Sequence, residues 1–155
     1  MRPNLGLSEI AHEKSVQQLE KLLANIYVLY VKTQNFHWNI ESPHFGALHA
    51  FFEEQYKELA EDIDTIAERI RALGSYAPGS LKFFYETAEL HEEPGALKAM
   101  AMCRQLLQDR EHIIGQMKAI IAALDEHDIG TGNMLEDRVE AYEKAAWMLR
   151  AHLVE

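Results

Sequence analysis

His37, His49, Asp64 and Glu68 offer two imidazoles and two carboxylates at intervals that no packing rule requires. Such a donor set suits iron, manganese or zinc, whereas calcium and magnesium prefer shells made only of oxygen. Carboxylates also stabilise a ferric product and can bridge two metals, which favours iron oxidation. Fifteen residues separate His49 from Asp64, about 22 Å along one helix. Ligands of one ion must converge to within ~4–5 Å, because each metal–ligand bond is near ~2 Å. A straight helix cannot achieve this. Two identical helices running antiparallel about a two-fold axis can, and two-fold symmetry is the commonest in homodimers. The axis would pass near Lys57–Glu58, so that His37 and His49 of one copy meet Asp64 and Glu68 of another. A polar seam held by ordinary salt bridges would use the same residue types.

These residues need long helices to position them. Ser8 caps a first helix, with Glu9 near the positive end of its dipole. Val16, Leu19, Leu23, Ile26, Tyr30 and Thr33 then recur at steps of three and four, an amphipathic stripe on which His37 is the next member. Ser42-Pro43 starts a second helix predicted over 43–73. Its stripe is Phe45, Leu48, Phe52, Tyr56, Leu59, Ile63, Ile66, Ile70 and Leu73, and Gly74 ends it as a left-handed cap. Residues 75–93 form a long connection with a short helix near Leu81–Tyr85. A third helix is expected from Pro94 to about Leu124, a Gly-rich turn over Asp128–Asn133, and a fourth helix to about Leu153. The expected fold class is all-α, a four-helix bundle with a long crossover between helices two and three, which is the ferritin-like arrangement. The chain reads as one domain, 1–155.

The second helix has a further face. With His49 set at 0° and a turn of about 100° per residue, the apolar stripe spans about 240–340°. His49, Glu53, Asp64 and Glu68 fall at about 0°, 40°, 60° and 100°. Gly46, Ala50, Ala60 and Ala67 share that band. Small residues admit a close neighbour, and the carboxylates need a counter-charge.

Composition narrows the rest. Eight Gly and four Pro among 155 residues leave few turns for an all-β fold. The lone cysteine, Cys103, excludes an internal disulfide framework, agrees with a reducing compartment and is expected to be buried. The opening residues lack the apolar run of a signal peptide, and no segment has the length of a membrane span, so a cytoplasmic location is expected. A formal charge of −10 opposes nonspecific contact with nucleic acid and suits a protein that collects cations; it also serves solubility alone.

Residues 35–74, NFHWNIESPHFGALHAFFEEQYKELAEDIDTIAERIRALG, closely resemble the Dps-type mini-ferritins, as does EKAAWMLRAHL at 143–153. The combination of HW, LHxxFEExY and DxxAERIxxLG is highly specific. The resemblance implies a dodecameric hollow shell, built from two-fold dimers, that oxidises Fe(II) with hydrogen peroxide or O2 and stores ferric mineral against oxidative stress. It places a two-iron site at each subunit interface, with His37 and His49 from one copy, Asp64 and Glu68 from its mate, and Glu53 in the outer part. Ser42 stands where many members have Gly. Trp38 either packs or intercepts stray one-electron oxidants. Iron would enter near the start of the last helix, where Asp125, Glu126 and Asp128 supply charge and Asn133 replaces a frequent aspartate. Glu9-x-x-His12 has the spacing of intrasubunit di-iron bundles but no second clear copy, and is read as a decoy. A DNA-compacting role is the main alternative. Members that coat DNA use lysine-rich tails, whereas the segment before helix one holds Arg2 and no Lys, so weak or no binding is expected. A metal-free helical interaction module is a third reading.

Overall fold

The computed structural model describes residues 3–154; Arg2 and the terminal Glu155 lie outside the described residues. Five helices follow in order: α1 (Glu9–Asn39), α2 (Phe45–Ala72), α3 (Leu81–Thr87), α4 (Ala99–Ala123) and α5 (Ile129–Ala151). The described residues contain no strand. The short link after α1 folds α2 back along it, α4 and α5 pack as a second pair, and α1 also contacts α3 and α4. Leu19, Leu23, Ile26 and Phe36 of α1 meet Phe52, Leu59, Ile66 and Ile70 of α2 in one core with Ile113 and Met117 of α4 and Leu135 and Leu149 of α5. No helix is long and apolar enough to cross a membrane.

Local chemistry sets the helix ends. Ser8 Oγ accepts from Ala11 N at 3.1 Å, the expected cap of α1. Gly74 has φ 94°. Its N–H donates to Arg71 O, and Ser75 N–H donates to Ile70 O. This pairing closes α2 in a Schellman motif, which places the left-handed glycine just past the end. A side chain at Gly74 would collide with the Pro3 ring, its Cβ lying 2.4 Å from Pro3 Cδ.

Three predicted boundaries move. α2 begins at Phe45 rather than Pro43, because Ser42 Oγ accepts from His44 N and holds residues 42–44 in a turn. α4 begins at Ala99 rather than Pro94. The intervening segment is tied elsewhere: Glu93 accepts from Gly95 N and Gln105 Nε2 through its carboxylate, and from Asn35 Nδ2 through its carbonyl. α5 starts at Ile129, inside the stretch expected to be a turn. Asp128 caps it, and Gly130 lies in its first turn against the Arg69 guanidinium, where an added Cβ would sit 2.9 Å from Nη2.

The core face of α2 is also rotated from the predicted stripe. Phe51, Gln55 and Asp62 are buried, whereas Phe45 is exposed and Tyr56 and Ile63 only half-buried. The true core arc is turned away from the ligand-bearing band, which leaves the apolar residues bordering that band partly uncovered. Cys103 is fully buried, as expected, and burial pushes its thiol up to about 11.

Candidate metal centre

His37 lies in the last turn of α1 and His49 near the start of α2, and the tight corner between these helices brings the two rings together. Their centroids are 3.8 Å apart with planes 19° from parallel. Each ring is fixed by the other residue's backbone. His37 Nδ1 donates to His49 O at 2.8 Å, and His49 Nδ1 donates to His37 O at 2.9 Å. Carbonyl oxygens only accept, so both rings carry a proton on Nδ1, and it is Nε2 that the neutral imidazole presents as an acceptor. Metal-binding histidines characteristically have this support, an outer carbonyl that fixes tautomer and ring orientation. His37 is buried and His49 half-buried. Phe45 stacks on His49 at 4.9 Å, and the Tyr56 ring stands edge-on to His37 at 5.2 Å, so the imidazoles have little room to turn.

Glu53, one turn beyond His49, points into the same region. Its Oε1 accepts from Lys57 Nζ at 2.7 Å. That bond and the ammonium charge hold its carboxyl below the usual range, with smaller contributions from His37 and His49. Asp64 and Glu68 lie farther along the band, exposed, and among the described residues neither makes an ion pair or hydrogen bond. The fold therefore unites His37, His49 and the vicinity of Glu53, and leaves Asp64 and Glu68 at the far end of α2. Among the described residues no three His, Cys, Asp or Glu side chains of one chain converge on a metal position.

The middle of the bundle is closed to such a site. Ferritin-like proteins with an intrasubunit di-metal centre fill that space with carboxylates and Glu-x-x-His pairs. Here Arg110 occupies it, 2% exposed, donating to Gln55 Oε1 at 2.8 Å with its guanidinium 4.4 Å from the Tyr142 ring centre. Asp62 lies close by, paired with Arg138 at 2.6 Å. Burial raises the Asp62 carboxyl despite Arg138, and burial together with Asp62 pushes the Tyr142 phenol well up. A fixed, buried cation between α2 and α5 disfavours binding of a further cation there.

The ferritin-like domain family matches residues 16–155. A DNA protection during starvation protein of Brevibacillus brevis is 39% identical over 145 residues, covering 90% of this chain and 97% of its own length. An uncharacterized low temperature-induced protein of Nostoc is 37% identical over 155 residues, covering 98% and 87%. Among solved structures, a Dps protein of Vibrio cholerae O1, described as a member of a broad superfamily of ferritin-like diiron-carboxylate proteins, superposes with TM-score 0.93 at 33% identity, covering 99% and 98%. The chain belongs to the Dps branch of the ferritin-like family.

The remaining candidates in this Dps chain separate cleanly. Asp128, expected to lend charge to an iron pore, is buried. Its Oδ1 accepts from Arg69 Nη2 at 2.9 Å and its Oδ2 from Ser15 Oγ at 2.7 Å. It ties α1, α2 and α5 together. Asp125, Glu126 and Asn133 do remain exposed in that region. His12 bonds the Leu73 carbonyl through Nε2, which locks the start of α1 to the end of α2 and agrees with the decoy reading of Glu9-x-x-His12. Trp38 is 67% exposed, so packing within one chain does not account for it. Sequence reasoning missed two features. The reciprocal imidazole–carbonyl exchange was signalled only by the short link between two histidines. The Glu53–Lys57 pair was signalled by its i,i+4 spacing.

Proposed function

We propose that this protein takes up Fe(II), oxidises it at sites shared between two-fold-related copies, and stores the ferric product inside a hollow shell of twelve. The reciprocal Nδ1–carbonyl exchange carries this reading. It holds two Nε2 lone pairs ready for a transition metal and is not needed merely to pack a helix corner. Asp64 and Glu68, free of counter-charges on the same band of α2, are the complement that an antiparallel mate would bring. Arg110 in the bundle centre argues against the alternative location within one chain.

In this scheme His37 and His49 supply two nitrogens, and Asp64 and Glu68 of the mate supply oxygens that neutralise the ion and favour the ferric state. Glu53 serves a second, weaker position and must release Lys57 to do so. With hydrogen peroxide as oxidant, each of two Fe(II) gives it one electron. The O–O bond breaks, and two protons complete two waters. Pairing the electrons in one turnover avoids release of hydroxyl radical. The protein's share is geometry and negative charge, while the redox change belongs to the iron.

The test is complementation between subunits. His37→Ala/His49→Ala and Asp64→Ala/Glu68→Ala shells should each lose peroxide-driven Fe(II) oxidation, on the order of 100-fold. Shells co-assembled from equal amounts of the two variants should regain about one quarter of wild-type activity, the share of intact sites left by random two-fold pairing. Absence of any recovery, with normal shells formed, would exclude a shared site. DNA compaction is disfavoured: twelve copies at −10 each would carry −120, which repels phosphate. Tight retardation of DNA in a low-salt gel would overturn that expectation.

A further inference from the structure

An unbroken file of aromatic rings leads away from the imidazole pair. Tyr56 stands against His37 at 5.2 Å, Tyr30 against Tyr56 at 6.2 Å, Tyr27 against Tyr30 at 5.9 Å, and Phe84 of α3 covers Tyr27 at 4.3 Å. All these separations lie within the range of direct aromatic contact. Three successive members are phenols. Their ring areas explain their packing, but their hydroxyls do little for the fold. Tyr30 Oη accepts from Gln34 Nε2 at 3.0 Å, and among the described residues the hydroxyls of Tyr27 and Tyr56 make no hydrogen bond. Phenylalanine would fill these places equally well. The file also has a direction. Tyr27 lines an open groove of about 490 Å3 with Val31, Leu81, Lys82, Tyr85 and Glu92. One end therefore meets the imidazoles and the other meets solvent.

We propose that Tyr56, Tyr30 and Tyr27 form a conduit that carries a stray one-electron oxidising equivalent from the iron site to this groove, where a small soluble reductant removes it. The proposal rests on the iron-oxidation reading, because its oxidant arises when peroxide takes one electron from a single Fe(II), giving Fe(III), hydroxide and hydroxyl radical. That radical takes a hydrogen atom from the Tyr56 hydroxyl and becomes water. Tyr56 recovers an electron from Tyr30 through their ring contact and a proton from water, Tyr30 recovers its electron from Tyr27 in the same way, and each phenol that gives up an electron releases its proton to solvent. A thiol or ascorbate in the groove then gives a hydrogen atom to Tyr27. Phe84, which has no hydroxyl, ends the file.

The test mixes Fe(II)-loaded shells with excess peroxide and follows three readouts: Fe(II) oxidation, the tyrosyl signal in freeze-quench electron paramagnetic resonance, and oxidised residues in peptide mass spectra. Wild type should show a tyrosyl signal, oxidation at Tyr27, and faster decay of the signal with added ascorbate. Tyr30→Phe should oxidise Fe(II) at the wild-type rate, lose oxidation at Tyr27 several-fold, and gain damage at Tyr56 and around His37. Equal Tyr27 oxidation in Tyr30→Phe, or no tyrosyl signal despite rapid Fe(II) oxidation, overturns the conduit and leaves the iron reading intact. Fe(II) oxidation no faster in wild type than in His37→Ala/His49→Ala overturns both.

Discussion

The interior of the bundle and the outer band of α2 both hold clustered polar side chains, but they treat charge in opposite ways. Inside, Arg110 bonds Gln55 and lies over the Tyr142 ring, Asp62 pairs with Arg138, and Asp128 is enclosed by Arg69, Ser15 and Thr131. On the band, His37 and His49 spend one nitrogen each on backbone carbonyls and hold the other open, while Asp64 and Glu68 stand without counter-charges among the described residues. Buried charge must be matched because desolvation is costly. Unmatched charge is tolerable only in water or where another body arrives. Enclosure marks the structural set, and openness marks the set that the proposed function assigns to a metal and a second copy.

Substitutions can break this contrast. Arg110→Ala should have the largest effect on stability, about 3–5 kcal/mol, since it opens a cavity beside Tyr142 and leaves buried Gln55 without its donor. Chemical denaturation would measure it, and a loss below about 1 kcal/mol would mean the network is not cooperative. Asp128→Asn should cost about 2 kcal/mol, the scale of a hydrogen bond to a charged group. Burial alone would raise the Asp128 carboxyl, but Ser15, Thr131 and Arg69 together bring it below the ordinary value. Its contribution is thus complete above about pH 4, the unfolded-state range, and fades as pH falls through the lower folded value. The stability gap between wild type and Asp128→Asn should therefore narrow in acid; a gap constant down to the lowest pH would contradict the assignment. His37→Ala should cost only about 1 kcal/mol of stability although iron oxidation collapses, and a large stability loss would move it to the structural set. Lys118→Ala breaks an exposed pair with Glu143 and should change stability by less than about 1 kcal/mol.

Much of this could be read before any coordinates. Stripes of apolar residues at helical spacing gave α1 and α2 their extents within a few residues, and Gly74 announced its own left-handed cap. The motif around His37 and His49 pointed to the family as well as the fold. The harder parts depend on contacts distant in sequence. Pro94 looks like a helix start, yet Asn35 and Gln105 reach across to Glu93 and keep the following residues out of α4. Gly130 and Gly132 look like a turn, yet the Arg69 guanidinium against Gly130 and the Asp128 cap make helix the better choice. Gln55, Asp62 and Arg110 lie off the predicted apolar stripes, and nothing local says that Arg110 will bond Gln55 or that Arg138 will pair with Asp62. The wider helix face that they occupy could not be separated from a solvated one by periodicity alone.

The crossed anchoring of the two imidazoles has a consequence for biogenesis. His37 needs the carbonyl of residue 49, and His49 that of residue 37. Neither ring is oriented until both helices exist and their corner has closed. On the iron reading, a nascent polypeptide on the ribosome offers only scattered, freely rotating donors and chelates poorly. On that reading, metal capture is deferred until maturation, and unfinished chains are shielded from the oxidant chemistry proposed for finished ones.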